Sequence, residues 1–257
     1  SVRLVAPPAG GATFFSLAFP CKAWHNRIIF LSKVRDTMRA EQNTRWFLAA
    51  EAVLYLAFLC CDLQSVFSIS TALKYAALLL CLFYSAGHTG SEDGRLVCAA
   101  LTLTAAADFF LLVLNRWYFL GVALFCPVQF LYALRLRRMQ ISPGPLWPRA
   151  AASGGALLML GLSGLLRPLT MLICVYFPQL LCNAVESLRP SSAHGAPLFR
   201  CGLWLFVGCD ICVGLHNLVP YLPLSAGSAA AVQFCMWALY LPSQVLIALS
   251  VRRRPTA

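Results

Sequence analysis

The segment LVCAALTLTAAADFFLLVL, residues 96–114, decides the fold of this chain. Apart from two threonines, its only polar side chain is the carboxyl group of Asp108. A run of this length matches the roughly 20 apolar residues that an α-helix needs to cross a bilayer. The whole chain agrees, because 60% of its residues are hydrophobic and 11% are charged, about half the charged share of a soluble domain. The segment therefore predicts a membrane protein, with a buried carboxyl group whose presence needs a reason.

Seven more apolar runs of similar length accompany this one along the chain. Their length and continuity predict an all-α membrane protein with eight transmembrane helices. The predicted spans are residues 46–61, 68–86, 96–114, 117–136, 147–166, 168–188, 198–218 and 227–251.

The basic residues between the spans predict the orientation. With eight helices, almost all of them fall on one side of the membrane, and the other side keeps only Arg116 and Arg167. By the positive-inside rule, both termini are then cytoplasmic. The net charge of +11 thus indicates topology and attraction to anionic lipids, and it disfavours nucleic acid as a partner. The high alanine, leucine and arginine content favours a bacterial inner membrane over the endoplasmic reticulum, although the charge pattern fits both.

Residues 1–37 differ in texture from the rest of the chain. The first methionine is Met38, directly before the first predicted span, and no convincing signal peptide precedes it. We expect this leader to be disordered or to lie ahead of the true start of the protein. We expect residues 38–257 to form a single eight-helix membrane domain.

Asp108 has a counterpart in Asp210, on the seventh predicted helix. Asn115 follows Asp108 by seven residues, and Asn217 follows Asp210 by the same distance. Seven residues make two helical turns, so each asparagine is predicted to lie on the same face as its aspartate.

A second match follows in the same order. PVQFLYAL at 127–134 aligns with PSQVLIAL at 242–249, which makes Gln244 the counterpart of Gln129. Together the matches predict a four-helix unit repeated in parallel orientation, with both aspartates and both glutamines in the middle-to-inner part of the bilayer. The two predicted units are residues 45–138 and 147–251.

The two aspartates allow three interpretations. An ionised carboxylate that faces lipid costs at least about 2.5–3.5 kcal/mol, so both side chains should face the interior of the bundle. There, neighbouring aspartates can supply a proton donor and an anion, as general acid–base catalysis requires. They can also simply hold helices together through hydrogen bonds, and carboxylates at mid-depth in parallel repeats suit proton-coupled transport equally well.

Other polar residues in the spans favour structural roles. Lys74 is near enough to the outer edge for its ammonium group to reach the headgroups. Cys209 and Cys212 flank Asp210 as C-x-x-C, but no suitably spaced histidine completes a zinc site. The motifs of serine hydrolases, zinc proteases and nucleotide-binding loops do not occur. Three polar residues near helix ends are interpreted as structural, namely Glu51, Asn183 and Glu186.

The chain resembles the YhhN-like family, the lysoplasmalogenases, over roughly residues 45–251. The order and spacing of short motifs support the resemblance more than any one of them. The matching features are Lys74, AAADFFLLVL around Asp108, GVALFCPVQFLY at 121–132, Tyr176, LFVGCDICVGL at 205–215 and YLPSQVLIAL at 240–249. Three positions depart from the family pattern: Ala107 where glycine is common, Cys209 where serine is common, and Gln129 where histidine is usual.

The resemblance implies hydrolysis of the vinyl ether bond of a lysoplasmalogen, which gives a fatty aldehyde and a glycerophospho-choline or -ethanolamine. Asp108 and Asp210 would be the acid and its partner, by analogy with the carboxyl pairs of glycosidases. Supporting or substrate-binding roles fall to Lys74, Gln129, Tyr132, Tyr176, Asn217, Tyr240 and Gln244. The implied partners are the lysophospholipid substrate and membrane lipids, and no metal or cofactor is required.

Overall fold

The computed structural model describes residues 18–139, 141, 144–164, 166–218 and 226–251. Within them the chain forms eight α-helices, one of which continues into a short π-helix, and no strand occurs. The prediction of an all-α protein is therefore confirmed. The helices are α1 (Ala18–Leu63), α2 (Phe67–Ala86), α3 (Glu92–Asp108), α4 (Tyr118–Arg138), α5 (Trp147–Leu162), α6 (Pro168–Glu186), α7 (Ala196–Leu218) and α8 (Ala226–Leu249).

Seven helical stretches among the described residues are long and apolar enough to cross a membrane. They are Met38–Leu63, Phe67–Ala86, Glu92–Val113, Tyr118–Arg138, Pro168–Glu186, Ala196–Asn217 and Ala230–Leu249. The exception is α5, which has 16 residues where the sequence predicted a span over 147–166. It ends just before Gly164, whose φ of +67° is a left-handed conformation that glycine adopts readily. An eighth span and the cytoplasmic orientation of the termini stay predictions.

The first helix starts much earlier than predicted. It begins at Ala18, so residues 18–37 of the expected leader are helical, while residues 1–17 lie outside the described part of the chain. The chain divides into two compact units at Trp46, and the second unit begins at Phe47. All candidate site residues belong to the second unit.

Six helices of the second unit pack in a closed cyclic order, α2, α3, α4, α6, α7 and α8, with α8 returning to α2. A contact between α3 and α8 crosses this ring, and α5 packs on α6. The contact of α4 with α6 corresponds to that of α8 with α2 under the predicted repeat, which itself stays a prediction. One apolar cluster joins the ring helices through Leu101, Val128, Leu180, Leu203 and Ile247.

Close packing of α7 on α8 depends on Gly202. A Cβ atom at this position would lie 2.8 Å from Cγ1 of Ile247 and 3.1 Å from the backbone oxygen of Ser243. Small residues bring helices together in membranes because lipid provides little hydrophobic drive for their association. The close approach fixes the part of α8 that carries Gln244.

Arg135 of α4 joins α3 and α8 through hydrogen bonds. Its guanidinium group is fully buried and makes two hydrogen bonds of 2.8 Å to the carboxylate of Asp93 on α3. A third bond of 2.6 Å reaches Oγ of Ser250, just after α8. Arg135, one of the basic residues behind the predicted orientation, therefore also fixes three helices that carry the site.

The prediction that Asn115 lies on the face of Asp108 is wrong. Directly after Asp108 the helix changes to a π-helix, Phe109–Val113, which ends before Asn115. Asn115 itself has a left-handed φ of 49°, and its side chain accepts a hydrogen bond from the hydroxyl group of Tyr118. The seven-residue spacing therefore does not correspond to two α-helical turns here. Single π-turns of this kind are frequent at functional sites.

Candidate active site

Asp108, the last residue of α3, is held by a tyrosine from the other half of the chain. Its Oδ2 atom accepts a hydrogen bond of 2.6 Å from the hydroxyl group of Tyr240 on α8. Asp108 is buried, with 6% of its surface exposed, and Tyr240 is buried as well. The bond crosses the ring where α3 contacts α8, so it fixes the carboxyl group at the centre of the helix bundle.

Asp210, on α7, is held in the same way by a different helix. Its Oδ2 atom accepts a hydrogen bond of 2.6 Å from the hydroxyl group of Tyr176 on α6. Asp210 is half-buried as a residue, whereas Asp108 is buried. Each aspartate thus has one tyrosine that orients it and that stabilises its anionic form.

The structure brings the two aspartates together. The carboxyl groups of Asp108 and Asp210 are close enough for their charges to interact. The buried thiol group of Cys209 lies within electrostatic reach of both. The carboxyl pair therefore occupies one site, to which α3, α6, α7 and α8 each contribute a side chain.

Aromatic rings form a continuous wall between the two tyrosines. Phe125 of α4 contacts Tyr176, with ring centroids 5.6 Å apart, and Phe206 of α7 at 5.8 Å. Phe206 in turn contacts Tyr240 at 5.8 Å. Such apolar surroundings exclude water and strengthen electrostatic interactions inside the site.

Tyr132 of α4 lies within electrostatic reach of Tyr176 and Tyr240, and Gln129 shares its helical face. Asn183 of α6 orients Gln129. The Nδ2 atom of Asn183 donates to the backbone oxygen of Gln129 at 2.9 Å and to its Oε1 atom at 3.1 Å. Arg149 of α5 donates to Oδ1 of Asn183 at 2.9 Å and pairs with Glu186 at 2.9 Å. Asn183 and Glu186 were interpreted as structural, but they link the site to a basic residue near the helix ends.

Lys74 neither reaches the headgroups nor contacts an aspartate of the pair. Its ammonium group forms an ion pair of 2.7 Å with Asp62 of α1, and 6% of its side chain is exposed. It also lies over the ring of Trp237, 4.6 Å from the centroid. Trp237 in turn contacts Tyr240, so Lys74 is linked to the site through this tryptophan and is not one of the groups around the carboxyl pair. The interpretation that Lys74 extends to the headgroups is therefore wrong, because Asp62 neutralises it inside the protein.

The expectation for Asn217 also changes. Asn217 is exposed near the end of α7, about 10 Å along the helix from Asp210, and its amide donates to the backbone oxygen of Val213. It therefore supports its own helix rather than the carboxyl pair. Cys209 and Cys212 are free thiols. Among the described residues, no group of three or more metal-ligating side chains comes together.

The ring of apolar helices and its interior carboxyl pair define a multi-pass helical membrane protein with a polar site between its helices. The sequence profile of the YhhN family matches residues 63–251, well over half of the chain. The protein therefore belongs to the YhhN family, as the resemblance predicted. Comparison with curated proteins and with solved structures found no match.

Proposed function

We propose that this protein is a membrane-embedded hydrolase that cleaves the vinyl ether bond of lysoplasmalogens, with Asp108 and Asp210 as its acid–base pair. The observation that supports the proposal most is the convergence of two tyrosine-bound carboxyl groups in an aromatic-lined site. Family membership supports the same substrate class. The enzyme would act on lipid substrates from within the membrane, and a bacterial inner membrane stays a prediction.

The difficult step of the reaction is proton transfer to carbon. One aspartic acid donates its proton to the outer carbon of the vinyl group, and the electron pair of the double bond forms the new C–H bond. The adjacent carbon then shares its positive charge with the ether oxygen as an oxocarbenium ion. A neighbouring carboxylate stabilises this cation, as in glycosidases with paired carboxyl groups.

Water completes the hydrolysis. It adds to the oxocarbenium carbon while the second aspartate takes up its proton, which produces a hemiacetal. The hemiacetal then gives its hydroxyl proton to the first aspartate, while the second aspartate returns its proton to the glycerol oxygen as the carbon–oxygen bond breaks, and the fatty aldehyde leaves. Since each proton taken up is returned, the pair is restored after one water has been consumed.

The tyrosines leave one oxygen of each carboxyl group available for this chemistry. Both hydrogen bonds go to Oδ2, so Oδ1 of Asp108 and Oδ1 of Asp210 can face substrate or water. Gln129, where the family usually has histidine, cannot transfer protons near neutral pH but can orient a polar group. We therefore place proton transfer on the aspartates alone.

A direct assay tests the proposed activity. Purified protein in detergent is mixed with lysoplasmenyl-ethanolamine or -choline, and the released fatty aldehyde is quantified. The matched control substrate is the saturated 1-O-alkyl lysolipid, which has the same shape but no double bond to protonate. Aldehyde from the vinyl ether lipid alone is expected, and its absence with correctly folded protein would contradict the proposal.

Proton-coupled transport of a small solute or lipid is the second candidate, because two neighbouring carboxyl groups inside a helix bundle suit proton coupling as well. Pro127 and Pro242 lie inside α4 and α8 at matching positions of the predicted repeat. Discontinuous helices line the substrate sites of many transporters, whereas α4 and α8 each continue through their proline. Uptake of substrate into proteoliposomes without aldehyde formation would support transport. A family member without catalysis would show neither activity.

A further inference from the structure

Four buried polar atoms near the carboxyl pair have no hydrogen-bond partner among the described residues. Their residues expose at most 1% of their surface. Buried polar groups in proteins are almost always paired, so four such atoms on three helices indicate a ligand of matching polarity. They are Oγ1 of Thr104, Nε2 of Gln129, the hydroxyl oxygen of Tyr132 and Oε1 of Gln244.

These atoms lie in one layer beside the carboxyl pair. Thr104 precedes Asp108 by four residues on α3, and Gln244 follows Tyr240 by four residues on α8. Each is therefore one helical turn, about 5.4 Å, from a member of the site. Arg135 joins the start of α3 to the end of α8, so the two contacting helices run antiparallel and both displacements place a polar group on the same side of Asp108.

Tyr132 belongs to this layer and also lies near the two tyrosines that bind the aspartates. Its hydroxyl group lies beside that of Thr104, without the geometry of a hydrogen bond. It is also within electrostatic reach of Tyr176 and of Tyr240. Gln129 precedes Tyr132 by one turn on α4 and therefore shares its face.

A chain of hydrogen bonds determines which end of Gln129 is available. The guanidinium group of Arg149 can only donate, so the atom of Asn183 that it contacts must be the oxygen, Oδ1. The nitrogen of Asn183 then donates to Oε1 of Gln129. The NH2 group of Gln129 is left as a donor. At Gln244 the Nε2 atom lies 3.5 Å from Oγ of Ser243, and the carbonyl oxygen is the unpaired end.

This set of atoms suits a neutral hydroxyl group. It offers an NH2 donor, a carbonyl acceptor and two hydroxyls that can do either. An anionic phosphate would need a cation, yet the guanidinium group within electrostatic reach of Tyr132, that of Arg135, already binds Asp93 and Ser250. A phosphate would also face the lone pairs of the Gln244 carbonyl. The ligand group must therefore both donate and accept without carrying charge.

We propose that Thr104, Gln129, Tyr132 and Gln244 bind the free hydroxyl group of the substrate's glycerol, and so select lysolipids over lipids acylated at that position. This inference rests on the proposed function. In a lysoplasmalogen the hydroxyl is a few bonds from the vinyl group, which matches a polar layer one helical turn from Asp108. Water is the other source of a neutral hydroxyl, and the test distinguishes the two.

The test measures binding rather than turnover. The probes are a saturated 1-O-alkyl lysolipid, which cannot be cleaved, and its analogue with hydrogen in place of the glycerol hydroxyl. The wild-type protein should bind the hydroxyl form at least about tenfold more tightly, since a polar pocket rejects a ligand that leaves its groups unpaired. Equal affinity for the two lipids would overturn the assignment, and this comparison requires no variant.

Two variants test whether Thr104 and Tyr132 cause the preference for the lipid with the glycerol hydroxyl. Thr104→Val and Tyr132→Phe remove one hydroxyl group each with little change in volume, and both should abolish the preference for the hydroxyl lipid. Thr102→Val is the matched control, because Thr102 is exposed on the same helix and bonds only to the backbone oxygen of Cys98. An unchanged preference in Thr104→Val and Tyr132→Phe would contradict the site.

Turnover separates this inference from the proposed function. If the variants lower kcat for lysoplasmenyl lipid while wild-type binding is indifferent to the hydroxyl, the layer holds water and its assignment to the lipid is wrong. If the hydroxyl preference is found but no aldehyde forms, the lipid site stands and the proposed hydrolysis fails.

Discussion

The hydroxyl group of Tyr240 on α8 donates a 2.6 Å hydrogen bond to Asp108 on α3, across 132 residues of sequence. Tyr176 does the same for Asp210 from α6. Removing either hydroxyl group should lower kcat for aldehyde formation by roughly 10- to 100-fold, because a hydrogen bond to a charged group contributes about 1.5–3 kcal/mol. Kinetics of Tyr240→Phe and Tyr176→Phe test this expectation. Tyr118→Phe is the control, since its hydroxyl bonds only to Asn115, and an equal loss in that variant would contradict the assigned roles.

Lys74 and Asp62 should act as a structural pair. Removing one partner of a buried ion pair leaves an uncompensated charge, which costs about 3–5 kcal/mol. We expect Lys74→Met and Asp62→Leu each to lower the free energy of unfolding in detergent by about 3 kcal/mol. The double variant should recover most of this loss and retain aldehyde formation. A double variant that is stable but inactive would instead give Lys74 a direct role in the reaction.

Gln129→His should increase the rate of aldehyde formation by about tenfold or more, the lower end of what positioned acid–base groups contribute. A ring nitrogen at this position can accept the hydrogen bond from Asn183 that Gln129 accepts now, and the second nitrogen gains the ability to transfer protons. Gln129→Leu is the comparison, since it removes both capacities and should lower the rate. A Gln129→His protein that is folded but no faster than the wild type would show that the aspartates do not need a third proton-transfer group.

The number of spans is testable through the location of the termini. At 1.5 Å per residue, the 16 residues of α5 extend about 24 Å, whereas the hydrocarbon core is about 30 Å thick. We expect α5 to cross with local thinning of the bilayer, so that the two termini lie on the same side. Reporter fusions at each terminus measure this directly. Termini on opposite sides would show that seven helices cross.

The fold and the carboxyl pair could be predicted from the sequence because lipid imposes a simple rule on both. Apolar runs of sufficient length must be helices, and a carboxyl group inside them must face the protein. The resemblance implied supporting roles for Tyr176 and Tyr240, but their hydrogen bonds to the two aspartates could not be predicted. Tyr240 and Tyr176 lie on helices that are apolar on nearly every side, so the sequence does not show which face turns towards Asp108 or Asp210.

One local departure from helical geometry and two contacts between helices explain the remaining errors. The π-helix after Asp108 ends the face that Asn115 was expected to share, and no residue in FFLLV indicates it. Asp62 lies one residue beyond the predicted first span, so its pairing with Lys74 could not be expected from span boundaries alone. Arg149 and Asn183 are far apart in sequence, and only the packing of α5 on α6 brings them together.

Catalysis by the aspartate pair is tested directly by the Asp108→Asn and Asp210→Asn variants. Their aldehyde release is compared with that of the wild-type protein on the same lysoplasmenyl lipid. Asparagine keeps an oxygen for the tyrosine hydrogen bond and removes the exchangeable proton, so each variant should stay folded and bind the saturated ether lysolipid. Both variants are expected to lose aldehyde formation. Substantial aldehyde formation by either folded variant would contradict a mechanism based on the aspartate pair.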